Sequence, residues 1–184
     1  MPASPRPRVV VLAPARLFAS FFDRATRNRL SRSFRWIRVP GRALTGRLRS
    51  TLLDADALIT TWDSPRFGED VVRLAPRLRV IGHCGGEVKG RFPAALFSRL
   101  TITNAPEPMA RPVAELAVAL LLYSSRNVDA YRAALRGGSN TIYARLHRDG
   151  AGEETLHGRT IGLLGFGKIG RGIAALLAPF GARL

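Results

Sequence analysis

Short apolar runs alternate with stretches whose apolar residues return every three to four positions through the first 105 residues. Arg8 to Ala13, Phe34 to Val39, Ala57 to Thr60, Leu78 to His83 and Thr101 to Asn104 have strand length and are mostly bounded by turn residues. Between them the spacing predicts helices near Arg16–Leu30, Thr45–Leu53, Glu69–Leu74 and Pro93–Leu100. Strand-helix alternation of this kind needs right-handed crossovers, which build a mostly parallel sheet covered on both faces. Residues 1–105 are therefore expected to form one doubly wound α/β layer.

From Pro112 the pattern changes. One long helix is expected to run to about Arg136, opened by a proline whose missing N–H would be unpaired in a first turn anyway. Val113, Leu116, Ala117, Leu120 and Leu121 share a face, while Val118, Ala119 and Leu122 carry apolar character round the rest. A helix apolar all round is buried on more than one side. A place between two domains, a subunit interface and the core of one domain all satisfy that. Gly137-Gly138-Ser139-Asn140 is read as its end, and a loop of charged and small residues follows through Glu154.

The run Thr160-Ile-Gly-Leu-Leu-Gly-Phe-Gly-Lys-Ile-Gly-Arg-Gly-Ile-Ala-Ala-Leu-Leu then sets Gly165, Gly167 and Gly170 between an expected strand, Arg159 to Leu164, and an expected helix. That is a dinucleotide-binding fingerprint. Gly165 would end the strand in a tight turn, Gly167 would let a pyrophosphate approach the main chain, and Gly170 would let the helix pack closely on the strand. The helix's free N–H groups and positive dipole end suit phosphate. Ile169, Ile173, Leu176, Leu177 and Phe180 form one helical face, and Pro179 and Gly181 mark its stop. The bland reading is an ordinary glycine-rich turn, which 18 glycines can produce by chance.

Composition narrows the function classes. The single cysteine, Cys84, excludes an internal disulfide framework and points to a reducing, cytoplasmic setting. His83, His147 and His157 lack zinc-ligand spacing, so no metal site is expected. The apolar run Val9 to Ala13 is shorter than a secretion signal's core, and Val113 to Tyr123 is too short to span a bilayer. The net charge is +16, and residues 1–50 carry 12 arginines against one acid, Asp23. Such an excess suits phosphate binding. The arginines are scattered, however, and only Lys89 and Lys168 are lysines, so a solvated basic face is favoured over a nucleic-acid partner.

A small α/β layer, a long helix beginning Pro112-Val-Ala-Glu-Leu-Ala-Val-Ala-Leu, and then Leu156-His-Gly-Arg-Thr-Ile-Gly-Leu-Leu-Gly-Phe-Gly-Lys-Ile-Gly-Arg together resemble the D-isomer-specific 2-hydroxyacid dehydrogenases. The Pro179-Phe180-Gly181 ending is similar too. The resemblance implies a flavodoxin-like doubly wound substrate domain over 1–105, a crossover helix and linker over 106–155, and from 156 to 184 the first βαβ of a Rossmann domain. It implies NAD or NADP held at Gly165, Phe166, Gly167, Lys168, Ile169 and Gly170, a small 2-oxoacid or 2-hydroxyacid substrate, and a homodimer. Leu78-Arg-Val-Ile-Gly-His-Cys-Gly-Gly-Glu-Val is similar to the family's substrate-carboxylate loop, which would make Gly85 and Gly86 that loop.

There are departures from the family pattern. Glu87 and Lys89 stand where a second glycine and an aspartate are usual, and a carboxylate there would repel an anionic substrate unless it points away or pairs with Lys89. Before the long helix the run is Asn104-Ala-Pro-Glu-Pro-Met-Ala-Arg-Pro112. The family's catalytic arginine, acid and histidine, and the ribose-binding acid, would all fall beyond Leu184, so the chain reads as the amino-terminal part of a dehydrogenase with no catalytic residue of its own. His83 is read as a structural residue at a strand end. Two other functions stay open: a dinucleotide-sensing regulator like the corepressors of the same fold, and nucleic-acid binding through residues 1–50.

Overall fold

The computed structural model describes residues 6–40, 43–138, 140–150 and 154–184. They divide into two compact units, Met1–Pro106 and Glu107–Leu184.

The first unit is built on five parallel strands, β1 (Arg8–Leu12), β2 (Arg35–Val39), β3 (Ala57–Thr60), β4 (Val80–His83) and β5 (Thr101–Asn104), in the order β2-β1-β3-β4-β5. All five expected strands are present, each within two residues of the expected bounds. β1 is nearly continuous in valine because both its faces are covered. Side chains alternate across it: Val10 and Leu12 join Leu58, Ile81 and Leu48 on one side, while Val9 and Val11 join Phe22 on the other. Each such fully buried side chain stabilises the layer by roughly 1.5–3 kcal/mol over exposure.

The connecting helices differ from the expectation in detail. The stretch expected as one helix over Arg16–Leu30 is two, α1 (Ala15–Phe21) and α2 (Arg24–Ser33). The carboxylate of Asp23 accepts the Thr26 N–H at 2.7 Å and starts α2 afresh. Helix α3 (Gly46–Leu52) is capped by the Thr45 hydroxyl. Helix α4 (Val71–Leu74) is a single turn, and the segment expected as a helix over Pro93–Leu100 is a 3-10 turn, Ala94–Ser98.

The second unit departs further. Helix α5 (Pro106–Ser125) starts six residues before the expected Pro112, which lies inside it, and it does not reach Arg136. Asn127, at φ 47°, breaks the chain direction, and α6 (Val128–Arg136) starts anew. Asparagine tolerates that left-handed angle better than most residues. The expected loop through Glu154 contains another helix, α7 (Asn140–Arg148); Ser139 and 151–153 lie outside the described residues. Of the all-round apolar face, only Ala114 and Val118 are buried in α5, while Leu116 and Leu120 are exposed.

The expected strand Arg159 to Leu164 is reduced to one parallel bridge, Thr160 with Arg183. The Ile161 N–H donates to the Arg183 carbonyl and the Arg183 N–H to the Arg159 carbonyl, both at 2.8 Å. Between the two bridge partners lies α8 (Lys168–Leu177). Leu177, Leu156 and Val118 make a small core with Ile161, Ile173 and Leu176 against it; Ile169 and Phe180, expected on the same face, stay exposed.

Candidate functional site

In the second unit the fingerprint glycines are shaped as their expected roles require. Gly165 turns at φ 96°, an angle that side chains oppose. Gly167 is the N-cap of α8, offers no side chain to it, and has open space where a Cβ would stand. A Cβ on Gly170 would collide with the Gly165 carbonyl oxygen, so that position has no room for a larger residue. The leading N–H groups of α8 are thus left uncapped at its positive dipole end, beneath a bare main chain. This donor set fits a pyrophosphate.

Two side chains fasten this loop. The Arg171 guanidinium donates to the Phe166 carbonyl at 3.1 Å, and the Lys168 ammonium pairs with Glu107. That pairing holds the Glu107 carboxyl below the usual carboxylate range. Lys168 is therefore tied to α5, while Phe166 and Ile169 are exposed. Gly172 lies outside the fingerprint spacing, yet it too sits in a tight place: a Cβ there would stand 3.1 Å from the Ala114 Cβ. Glycine at that position lets α8 cross α5 closely.

In the first unit, Gly85 and Gly86 follow directly on β4. The Gly85 N–H donates to the His83 carbonyl at 2.9 Å, and the Gly85 carbonyl accepts from Ala105 at 3.0 Å. The Asn104 side-chain amide donates to the Gly86 carbonyl at 2.7 Å, so the asparagine before the long helix ties the end of β5 to the glycine loop. A Cβ on Gly86 would meet nothing. Glu87 is turned onto the backbone of its own loop and stays a charged carboxylate. Its carboxylate accepts the Gly90 N–H at 3.0 Å, and this bond, with those from Lys89 and Val88, holds its pKa down.

His83 is buried, with Nδ1 2.9 Å from the Thr60 hydroxyl. Burial, and secondly the Arg91 charge, lower its pKa and keep the ring neutral. Arg91 itself bridges the turn after β3, donating to the Ser64 carbonyl at 2.7 Å and to those of Pro65 and Trp62 at 3.3 and 3.4 Å. Among the described residues no His, Cys, Asp and Glu cluster is set to hold a metal ion, and no helix is long and apolar enough to cross a membrane.

Residues 118–184 match the family model for the NAD binding domain of D-isomer specific 2-hydroxyacid dehydrogenases. The chain belongs to that family. It is 33% identical over 151 residues to the D-3-phosphoglycerate dehydrogenase of Mycobacterium leprae, covering 82% of this chain and 27% of that protein. It is 31% identical over 147 residues to the glyoxylate reductase of Pyrococcus furiosus, covering 75% of this chain and 41% of that one. Among solved structures, the NADPH-dependent glyoxylate/hydroxypyruvate reductase of Sinorhizobium meliloti, in complex with NADP and malonate, superposes with a TM-score of 0.65. It is 26% identical, and the match covers 96% of this chain and 51% of that one. This family member thus spans well under half the length of the relatives named and about half of the solved chain. The α/β fold with a parallel sheet expected from the sequence is the one observed.

Proposed function

We propose that the complete protein is an NAD(P)-dependent oxidoreductase acting on the CH–OH group of a D-2-hydroxyacid, or in reverse on the carbonyl of a 2-oxoacid. In this reading residues 1–105 form the substrate domain, 106–155 the crossover helix and linker, and 156–184 the opening of the Rossmann domain. The observation that carries it is the uncapped start of α8 beneath Gly165, Gly167 and Gly170, where the backbone has no room for a side chain at Gly170. NAD or NADP supplies the nicotinamide that gives or takes hydride. Gly165, Phe166, Gly167, Lys168, Ile169 and Gly170 hold its pyrophosphate. Gly85 and Gly86 present main-chain donors to the substrate carboxylate. The exposed apolar residues of α5, Leu116 and Leu120 at 59% and 55%, support a homodimer, and a lone cysteine supports a cytoplasmic setting.

The test is Gly167→Val. A branched side chain would stand where the pyrophosphate must approach and cost at least one charge-assisted hydrogen bond, so the dissociation constant for NADH or NADPH should rise roughly tenfold or more. The far-ultraviolet circular dichroism should not change, because the Cβ position is open. Unchanged cofactor affinity in the variant would remove the reading.

A further inference from the structure

The parallel strands all start from one edge of the sheet, opposite the edge that carries Gly85 and Gly86. At that starting edge Arg6, Arg8, Arg35, Asp54, Asp56 and Arg77 line a cleft of about 250 Å3. Four arginines face two aspartates there, and both aspartates are already engaged. Asp54 accepts from Arg8 Nη1 at 3.1 Å, while Asp56 accepts from Arg77 through one oxygen and from the Arg8 N–H through the other. Donors remain on the other side of the cleft. Arg8 keeps Nε and Nη2 free, Arg6 uses only Nη1, on the Ser31 carbonyl at 3.1 Å, and the Arg35 guanidinium has no hydrogen-bond or ion-pair partner among the described residues. Arg8 and Arg35 are register partners on adjacent parallel strands, so two cations stand side by side on one face of the sheet. The Arg8 side chain is only 32% exposed, so solvent screens their repulsion incompletely.

We propose that this cleft binds a small phosphate dianion between the guanidinium groups of Arg6, Arg8 and Arg35. Arginine has donors and no acceptor, so the group that these three side chains take must supply acceptor oxygens. A guanidinium offers its N–H groups in a planar fork that matches two oxygens of a phosphate, and it keeps its charge at any ordinary pH. The dianion matches the excess of two positive charges that the four arginines keep over Asp54 and Asp56. Arg8 and Arg35 also line the adjoining hollow, together with Trp36 and Ile37. The Trp36 indole is fixed there by its bond to the Ser31 hydroxyl at 2.9 Å, which leaves an apolar wall beside the phosphate position for the carbon body of a phosphomonoester. Free phosphate and a small phosphomonoester share the chemistry that the arginines recognise. Bound there, either one removes the repulsion between β1 and the edge strand β2 and stabilises the sheet at its starting edge.

The test is a titration of the 15N-labelled 184-residue chain with inorganic phosphate and, separately, with glycerol 3-phosphate, followed by calorimetry and NMR. It is run at an ionic strength of about 0.1 M, where screening confines charge effects to roughly 10 Å. Saturable binding of one equivalent is expected, with the Arg8, Arg35 and Asp56 amide signals moving and those of Gly85 and Gly86 staying. Arg35→Gln removes a charge-assisted fork and should raise the dissociation constant about tenfold or more. Arg16→Gln removes the same charge from α1, beyond the other end of β1, and should leave the constant within about twofold. Tighter binding of glycerol 3-phosphate would assign the site to a phosphomonoester, and tighter binding of inorganic phosphate to the free ion; both support the cleft. No saturable signal at tens of millimolar of either anion, or equal weakening by the two substitutions, would overturn it. So would binding of a DNA duplex through Arg35 without binding of either small anion, which would make the face a polyanion contact. Should Arg35→Gln fail to fold, the amide shifts of the unaltered chain decide: shifts confined to Arg8, Arg35, Asp56 and their neighbours support the site, and shifts spread over all the arginine-rich segments overturn it.

Discussion

The unit Met1–Pro106 and the unit Glu107–Leu184 solve the same architectural problem to different extents. In the first, β1, β3 and β4 each have a neighbour on both sides, and the sheet divides two apolar cores. In the second, the strand-helix-strand pattern is present but amounts to one bridge, with three buried apolar side chains in its core cluster. The first unit also pairs its edge loops internally, as at Asn104 with Gly86, whereas the fingerprint loop of the second leaves Leu164 and Phe166 exposed. Backbone donors with two-sided partners resist opening; donors tied to one neighbour over a thin core do not.

The strongest way to break this comparison is hydrogen exchange. The amides of Val10 and Val11, in the middle of the sheet, should exchange only on global opening of their unit. The Ile161 and Arg183 amides, bonded across the lone bridge, should exchange at least about a hundredfold faster, equivalent to ~3 kcal/mol or more of local stability. Equal protection at Val11 and Ile161 would show that the bridge is as well supported as the full sheet.

Core truncation comes next. Leu58 is fully buried between neighbours from β1, β4, α3 and α4, so Leu58→Ala should cost about 2–5 kcal/mol, read as a lowered urea midpoint for the first unit's probes. Leu177 is equally buried but in a much smaller cluster that can collapse around the gap. Leu177→Ala should fall at the low end of that range. A larger loss at Leu177 than at Leu58 would reverse the ranking of the two cores.

The same contrast explains how far the sequence could be read. The five strands were legible because each is a short run carrying β-branched residues, and in β1 burial on both faces leaves that mark directly in the residue types. The helix breaks were not. Asp23 and Asn127 sit inside runs whose apolar spacing continues across them, and what ends each helix is a local cap or a left-handed angle. The fingerprint glycines were legible because backbone geometry demands glycine whatever surrounds it. Gly172 and Arg91 were not, since their structural roles come from a neighbour distant in sequence: Ala114 and the turn after β3. The overextended strand at Arg159 to Leu164 shows the limit of pattern alone, because strand length in the sequence does not supply a pairing partner.

Acid should separate the units further. His83 has its folded-state pKa lowered from 6.5, first by burial and then by Arg91, so the unfolded chain binds the proton more readily than the folded one. Its contribution to stability is then complete above pH 6.5 and is lost as pH falls from there through the lowered folded value. The first unit's urea midpoint should decline over that interval, and His83→Gln should flatten the decline. A flat profile in the unaltered chain from about pH 7 to about pH 5 would mean that the ring accepts a proton in place.

The smallest contrast lies in the ion pairs. Arg77 donates through Nε at 3.2 Å and Nη2 at 3.0 Å to one Asp56 oxygen, while the other oxygen accepts the Arg8 N–H at 2.8 Å. That carboxylate is 22% exposed and fixed to the sheet's own backbone, and the Arg8 bond is the leading cause of its lowered pKa, ahead of Arg77. Arg111 and Glu115, one turn apart on α5, are 86% and 52% exposed and pair with each other across that turn. A double-mutant cycle on the first pair should give about 0.5–1 kcal/mol, and one on the second ~0.5 kcal/mol or less, decreasing with added salt. The difference arises because Asp56 is already ordered by a main-chain donor, so pairing with it immobilises only one side chain, while the α5 pair must immobilise two. Equal coupling energies would mean that the main-chain anchor at Arg8 adds nothing to the pair.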